Sequence, residues 1–275
     1  MSTESLPAQS LLAEAVPRIA MSSSWPHKVT REWALEGATG KGIGVCVLDS
    51  GVDSSHPAVG EIEASMAVER GEDGHSCVRE VGKSADLFGH GTACAGIIRS
   101  IAPECRIASV RVLGKDNKGR GDVMAAGLSW AIEQGYQVVN MSLSTTRRDL
   151  SALLHELADD ACFQGSAIIA SAHNRSVESL PWRFSSVFSV GSHESAGPLT
   201  FYSNPTPPVD FFAKGVNLEV AWLEGGTISS AGNSFATAHL SGIAALVLSK
   251  HPDLTQFELK SVLHQISDNM EAPEG

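Results

Sequence analysis

Positive charge is scarce in this chain of 275 residues: 20 Lys and Arg stand against 31 Asp and Glu, a net charge of −11 with histidine neutral. That balance counts against a protein that tracks nucleic-acid phosphates. It reads as a solvated acidic surface, with some bias toward basic ligands. No apolar run approaches the roughly 18 residues of a membrane span, so no membrane partner is expected. The opening stretch MSTESLPAQSLLAEAVPRIA carries Glu4 and Glu14, has no early positive charge and breaks its apolar residues with polar ones. It does not read as an export signal. Cysteine occurs five times (46, 77, 94, 105 and 162), an odd number without CxxC or zinc-ligand spacing. Cys46 falls in a β-like run and Cys94 in a helix-like one, so both read as small buried hydrophobes. Reduced thiols in the cytoplasm are the expected state. No repeat, low-complexity tract or Pro/Gly/Ser-rich linker divides the chain.

What the chain does have is core-forming material. Hydrophobic residues at 43% and charged residues at 19% exclude wholesale disorder and allow a sizeable interior. Residues 1–24, ending in Ser22-Ser23-Ser24, read as an N-terminal extension, and 25–275 as one domain. From Gly42 onward short apolar runs alternate with helical patterns. Residues 42–48, 106–113, 137–143, 166–172 and 186–190 read as mostly buried strands. Helices are predicted over 91–100, 122–134, 149–163, 234–250 and 255–266, with Thr255 as N-cap of the last. This alternation predicts an α/β fold with a mostly parallel central sheet covered by helices on both faces. In such folds functional groups gather beyond the C-terminal ends of the strands.

Three segments fall at such ends or at a helix start. Asp49 closes the apolar run of Val47-Leu48, so its carboxylate is partly buried and needs partners; alone, it is an aspartate starting a turn. His90 sits in Gly89-His90-Gly91-Thr92, where glycines let backbone or substrate approach closely; alone, it is equally a helix-cap or core histidine. Ser234, in Gly232-Asn233-Ser234-Phe235-Ala236, opens an apolar helix; alone, it is an N-cap. Together they are the parts needed to orient an imidazole, remove a proton and attack a carbonyl.

At this point the chain resembles the subtilisin-like serine peptidases. VLDSGVDSSHP, GHGTACAG and GNSFATAHLSGIAALVLSKHP match that family's three signature segments, in the order Asp, His, Ser that is subtilisin's own. The similarity runs from about Trp33 to about Ile266 and includes VLGKDNKGRGDV and VVNMSLS. The resemblance implies a three-layer subtilisin-like fold over 25–275 and a serine endopeptidase with no cofactor. Asp49 would hold His90 in the productive tautomer, and Ser234 would form the acyl-enzyme. Asn174 matches the oxyanion-hole asparagine, acting beside the Ser234 backbone N–H; loss of that donor costs subtilisin itself roughly 100- to 1,000-fold in turnover. Asn117-Lys118-Gly119 and Ser142-Leu143-Ser144 match the two segments that sandwich an extended peptide by strand addition.

The departures from the family pattern are informative. Asn233 replaces the usual threonine before the nucleophile, and Ala238 the usual proline four residues after it. His173 and Ser144 stand where the family generally has glycine, on opposite walls of the pocket for the residue preceding the cleaved bond. The His173 ring would narrow that pocket or shift the oxyanion hole; narrowed specificity points to processing of a particular peptide or protein, with general intracellular turnover as the alternative. The segment after Gly91-Thr92 is short and Ala58 replaces an acidic residue, so the tight calcium site of many secreted relatives is not expected; Glu61, Glu63, Glu72 and Asp73 are the carboxylates left for another. With 48 residues before Asp49, the chain is expected either to fold without a long prodomain or to rely on a separate inhibitor or chaperone polypeptide. The competing reading is a catalytically silent peptide-binding or scaffold protein that keeps the cleft.

Overall fold

A computed structural model describes residues 26, 28–71, 76–82, 86–194 and 197–270. The segment read as an N-terminal extension, 1–24, lies outside them. In chain order the regular elements are α1 (Arg31–Leu35), β1 (Gly44–Asp49), β2 (Ala64–Arg70), β3 (Ser76–Glu80), α2 (His90–Ile101), β4 (Arg106–Arg111), α3 (Gly121–Glu133) and β5 (Val138–Met141). Then come α4 (Ser151–Phe163), β6 (Ala167–Ser171), β7 (Phe188–His193), β8 (Phe201–Ser203), β9 (Phe211–Lys214), β10 (Leu218–Ala221), β11 (Thr227–Ser230), α5 (Asn233–Lys250) and α6 (Gln256–Gln265).

Nine strands form one sheet in the order β3-β2-β4-β1-β5-β6-β7-β9-β8. The pairings from β2 through β9 are parallel, and β3 and β8 pair antiparallel to their neighbours at the two edges. A central strand feels two hydrophobic environments, and β1 shows it residue by residue. Val45 and Val47 face the core under α2 and α5, whereas Cys46 and Leu48 face the core under α3 and α4. Apolar side chains on both faces are what a doubly covered parallel sheet requires. Helix α5 is buried all round from Ser234 through Leu248, because it lies between the sheet, α2 and α6.

Every predicted helix is present, with ends shifted by one or two residues except that a short 3-10 turn, Arg148–Leu150, takes the start expected for α4. Thr255 caps α6 in a reciprocal box with Glu258. The strands absent from the sequence reading are the edge and hairpin strands β2, β3 and β8–β11. Their burial alternates or is shallow, as in β11, so they lack the continuous apolar run that betrays a central strand. All five cysteines are free thiols; Cys46, Cys94 and Cys105 are buried, and burial pushes each thiol's pKa upward, Cys105 to about 11. Among the described residues no helix is long and apolar enough to cross a membrane.

Candidate active site

Beyond the C-terminal ends of β1, β5 and β6 lies a cleft of about 780 Å³ whose walls include His90, Ser142, His173, Asn174 and Ser234. Asp49 ends β1 completely buried, and its carboxylate needs donors there. It has them: the Ser50 N–H donates to Oδ1 at 2.7 Å, and His90 Nδ1 lies 2.8 Å from Oδ1 and 2.9 Å from Oδ2. A carboxylate accepts only, so Nδ1 carries the proton and Nε2 is left as the basic nitrogen.

The glycines flanking His90 do what close approach demands. Gly89 has φ +107°, and a side chain there would meet the Trp222 ring at 2.6 Å. A Cβ on Gly91 would sit 1.9 Å from the Gly51 carbonyl oxygen, so only glycine lets the α2 start press against the loop after β1.

Asp86 is a functional-site residue that sequence reasoning missed. Its Oδ1 accepts from Ser50 Oγ at 2.8 Å, Phe88 N at 2.9 Å and Gly89 N at 2.8 Å, while Oδ2 accepts from Thr92 N at 2.9 Å and from the Thr92 hydroxyl. Gly89 has no side chain to cap α2, and Asp86 supplies the missing anion for the orphan N–H groups. The only signal was an acid four positions before His90. Burial alone would push the His90 imidazole's pKa down, but the charge and hydrogen bond of Asp49, with the charge of Asp86, outweigh it, and the pKa lies above the ordinary histidine value.

Ser234 occupies the first turn of α5. Its hydroxyl donates to the Ser142 carbonyl at 3.1 Å, and among the described residues there is no hydrogen bond from it to His90. Its own carbonyl accepts from Ser142 Oγ at 2.9 Å. Ser142 Oγ in turn accepts from Asn140 Nδ2 at 3.1 Å, and Asn140 Oδ1 accepts from Ser241 Oγ at 3.0 Å. This buried chain fastens the start of α5 to the end of β5; its sequence signal was a polar Asn140 inside the apolar strand VVNM. Asn174 follows β6, and its Oδ1 accepts from the Asn233 N–H at 3.1 Å, which leaves Nδ2 free to donate. A point one Cβ out from Gly232 lies 3.8 Å from Asn174 Nδ2 and 4.0 Å from Ser234 N, so both donors border one small volume.

The remaining predicted residues also reach the cleft. Asn117, Lys118 and Gly119 form one wall, closing a tight turn in which Asn117 has φ +55° and the Gly114 N–H donates to the Lys118 carbonyl at 2.9 Å. Ser142, Leu143 and Ser144 form the facing wall. His173 lines the cleft with Nδ1 accepting from the Arg175 N–H at 3.0 Å.

Among the described residues, one group combines three potential metal ligands, Asp49, His90 and Cys94, and it is the carboxylate–imidazole pair with a buried thiol beside it. A thiol and an imidazole are poor calcium ligands. Only the turn 102–105 separates α2 from β4, and the Ala58 side chain carries no oxygen. Of the alternative carboxylates, Glu63 is paired with Arg106 at 2.6 Å, and Glu72 and Asp73 lie outside the described residues.

Comparison with known proteins points to a single family. A model of the subtilase family matches residues 40–273. Subtilisin of Bacillus pumilus is 33% identical over 244 residues, covering 83% of this chain and 84% of its own. An alkaline protease of Shouchella clausii is 30% identical over 279 residues, covering 96% of this chain and 70% of its own. The crystal structure of a cold adapted subtilisin-like serine proteinase is similar at a TM-score of 0.66 and 27% identity, covering 84% of this chain and 86% of the other. The S41 psychrophilic protease shares the fold at a TM-score of 0.70 and 23% identity, covering 88% of this chain and 85% of its own.

Proposed function

The chain belongs to the subtilase family of serine endopeptidases, and from that premise we propose that Asp49, His90 and Ser234 are its catalytic triad and that it processes a restricted set of peptides or proteins. The observation that carries the triad is the bond from His90 Nδ1 to the buried Asp49 carboxylate, in one cleft with Ser234 and Asn174.

With a peptide in the cleft, rotation about the Ser234 Cα–Cβ bond moves its hydroxyl from the Ser142 carbonyl to His90 Nε2. Nε2 takes the proton as Oγ attacks the scissile carbonyl carbon, and the Asp49 carboxylate stabilises the imidazolium. The oxyanion receives Asn174 Nδ2 and the Ser234 N–H, at the positive end of α5. Collapse returns the proton from His90 to the leaving amine, and water then repeats the sequence on the acyl-enzyme. The peptide itself would lie between Asn117–Gly119 and Ser142–Ser144, adding a strand to each.

Narrowed specificity is supported by His173 and Ser144, which put an imidazole and a hydroxymethyl group on the cleft walls. A cytoplasmic site of action is supported by five free cysteines. Digestion of a peptide library by the wild-type protein, with Ser234→Ala as control, tests the reading. A cleavage profile confined to few side chains before the cut bond is expected; a flat profile would make this an enzyme of general turnover.

A further inference from the structure

Asn233 stands beside the nucleophile without touching the reacting atoms, yet it is tied both to the segment that follows β6 and to β7. Its side-chain Nδ2 donates to the Ala172 carbonyl just past β6 at 2.9 Å, and its Oδ1 accepts from Ser192 N in β7 at 2.8 Å. Its backbone N–H donates to Asn174 Oδ1 at 3.1 Å, and its carbonyl accepts from Thr237 Oγ1 at 2.8 Å. Among the described residues that N–H is the only hydrogen-bond partner of the Asn174 side chain, which otherwise sits on the exposed stretch 174–178.

We infer that Asn233 is the positioning residue of the oxyanion hole. Its amide clamps residue 172 and its backbone clamps residue 174, so that Asn174 Nδ2 and the Ser234 N–H are held at a fixed separation. The inference rests on the triad reading above. An amide head carries a donor and an acceptor on separate atoms, and so spans β6 and β7 at once. A single hydroxyl would place both functions on one oxygen and would hold the two strands less well. Removing the clamp leaves the donors present but misplaced, which raises the barrier of the chemical step and leaves ground-state peptide binding untouched.

The test is a double-mutant cycle of Asn233→Ala and Asn174→Ala, read as kcat and KM on a peptide p-nitroanilide, as inhibition by the matching peptide aldehyde, and as thermal midpoint. Asn233→Ala is expected to lower kcat about 10- to 100-fold with KM changed less than about twofold, and to weaken the aldehyde in step. In the Asn174→Ala background the same change is expected to cost less than about threefold, because the residue acts through Asn174. Equal costs in the two backgrounds, or a rise in KM alone, would overturn the inference. If Asn233→Ala does not fold, Asn233→Thr carries the same comparison. Ser234→Ala in the same assay separates the two levels of claim. Turnover that survives it defeats the triad reading and the positioning role together, whereas an inactive Ser234→Ala with an additive cycle defeats the positioning role alone.

Discussion

Asp49 meets His90 with both carboxylate oxygens within 2.9 Å, and no other described acid approaches the ring so closely. Replacement by asparagine would turn a donor amide or a neutral carbonyl toward Nδ1 and favour the wrong tautomer. Asp49→Asn should therefore leave the fold in place and lower kcat by about 10⁴-fold, measured beside a far-ultraviolet circular dichroism spectrum. Near-normal turnover would show that another carboxylate does this work. The same pair sets the pH response. His90 must be neutral to accept the serine proton, and Asp49 and Asp86 raise its pKa against the opposing effect of burial. Turnover should fall as pH drops through a midpoint above the ordinary value of about 6.5. Removing the Asp86 charge should move that midpoint down. A kcat/KM profile of wild type and Asp86→Asn reads both, and an unshifted midpoint in the variant would remove Asp86 from the explanation.

At the scale of elements, legibility in the sequence followed the continuity of the apolar signal. Strands β1, β4, β5 and β6 are covered on both faces; β1 and β6 wrote themselves as the unbroken runs VCVL and AIIA, and β4 and β5 as apolar runs broken once, by Ser109 and Asn140. The outlying strands did not, because β2 buries alternate residues and β11 only half-buries them. The site divides the same way. Asp49, His90, Ser234 and Asn174 lie in motifs where family resemblance supplies the roles, whereas Asp86 joins the loop after β1 through Ser50, 36 positions away, and Asn140 meets Ser241 101 positions away, pairings that spacing cannot reveal. The cap of α6 was legible because its partners are local: Thr255 Oγ1 accepts from Glu258 N at 3.3 Å, and Glu258 Oε2 accepts from Thr255 N at 2.8 Å. Thr255→Ala should lower unfolding free energy by about 1 kcal/mol with kcat unchanged, measured by urea denaturation. No residue of α6 lines the cleft, so a change in kcat would contradict its purely structural role.

For the whole molecule, stability should come from the two cores flanking the sheet and owe nothing to a tight calcium site. A site saturated at 100 times its dissociation constant would add about 2.7 kcal/mol, enough to move the melting temperature by several degrees. The turn 102–105 leaves no loop for ligands after α2, and Glu63 is engaged by Arg106. Excess EDTA should therefore shift thermal unfolding by less than about one degree. A larger shift restored by calcium and not by magnesium would locate a cation site in another part of the chain.

The central claim, that Ser234 is a nucleophile activated by His90 and Asp49, is tested most directly by intact-mass analysis after treatment with a fluorophosphonate, which reacts with activated serine and mimics the tetrahedral adduct. The account predicts one adduct per wild-type chain, located on the peptide containing Ser234, none on Ser234→Ala, and labelling slowed by orders of magnitude in Asp49→Asn. Folded wild-type protein that takes no label, or a Ser234→Ala variant that still does, would contradict it.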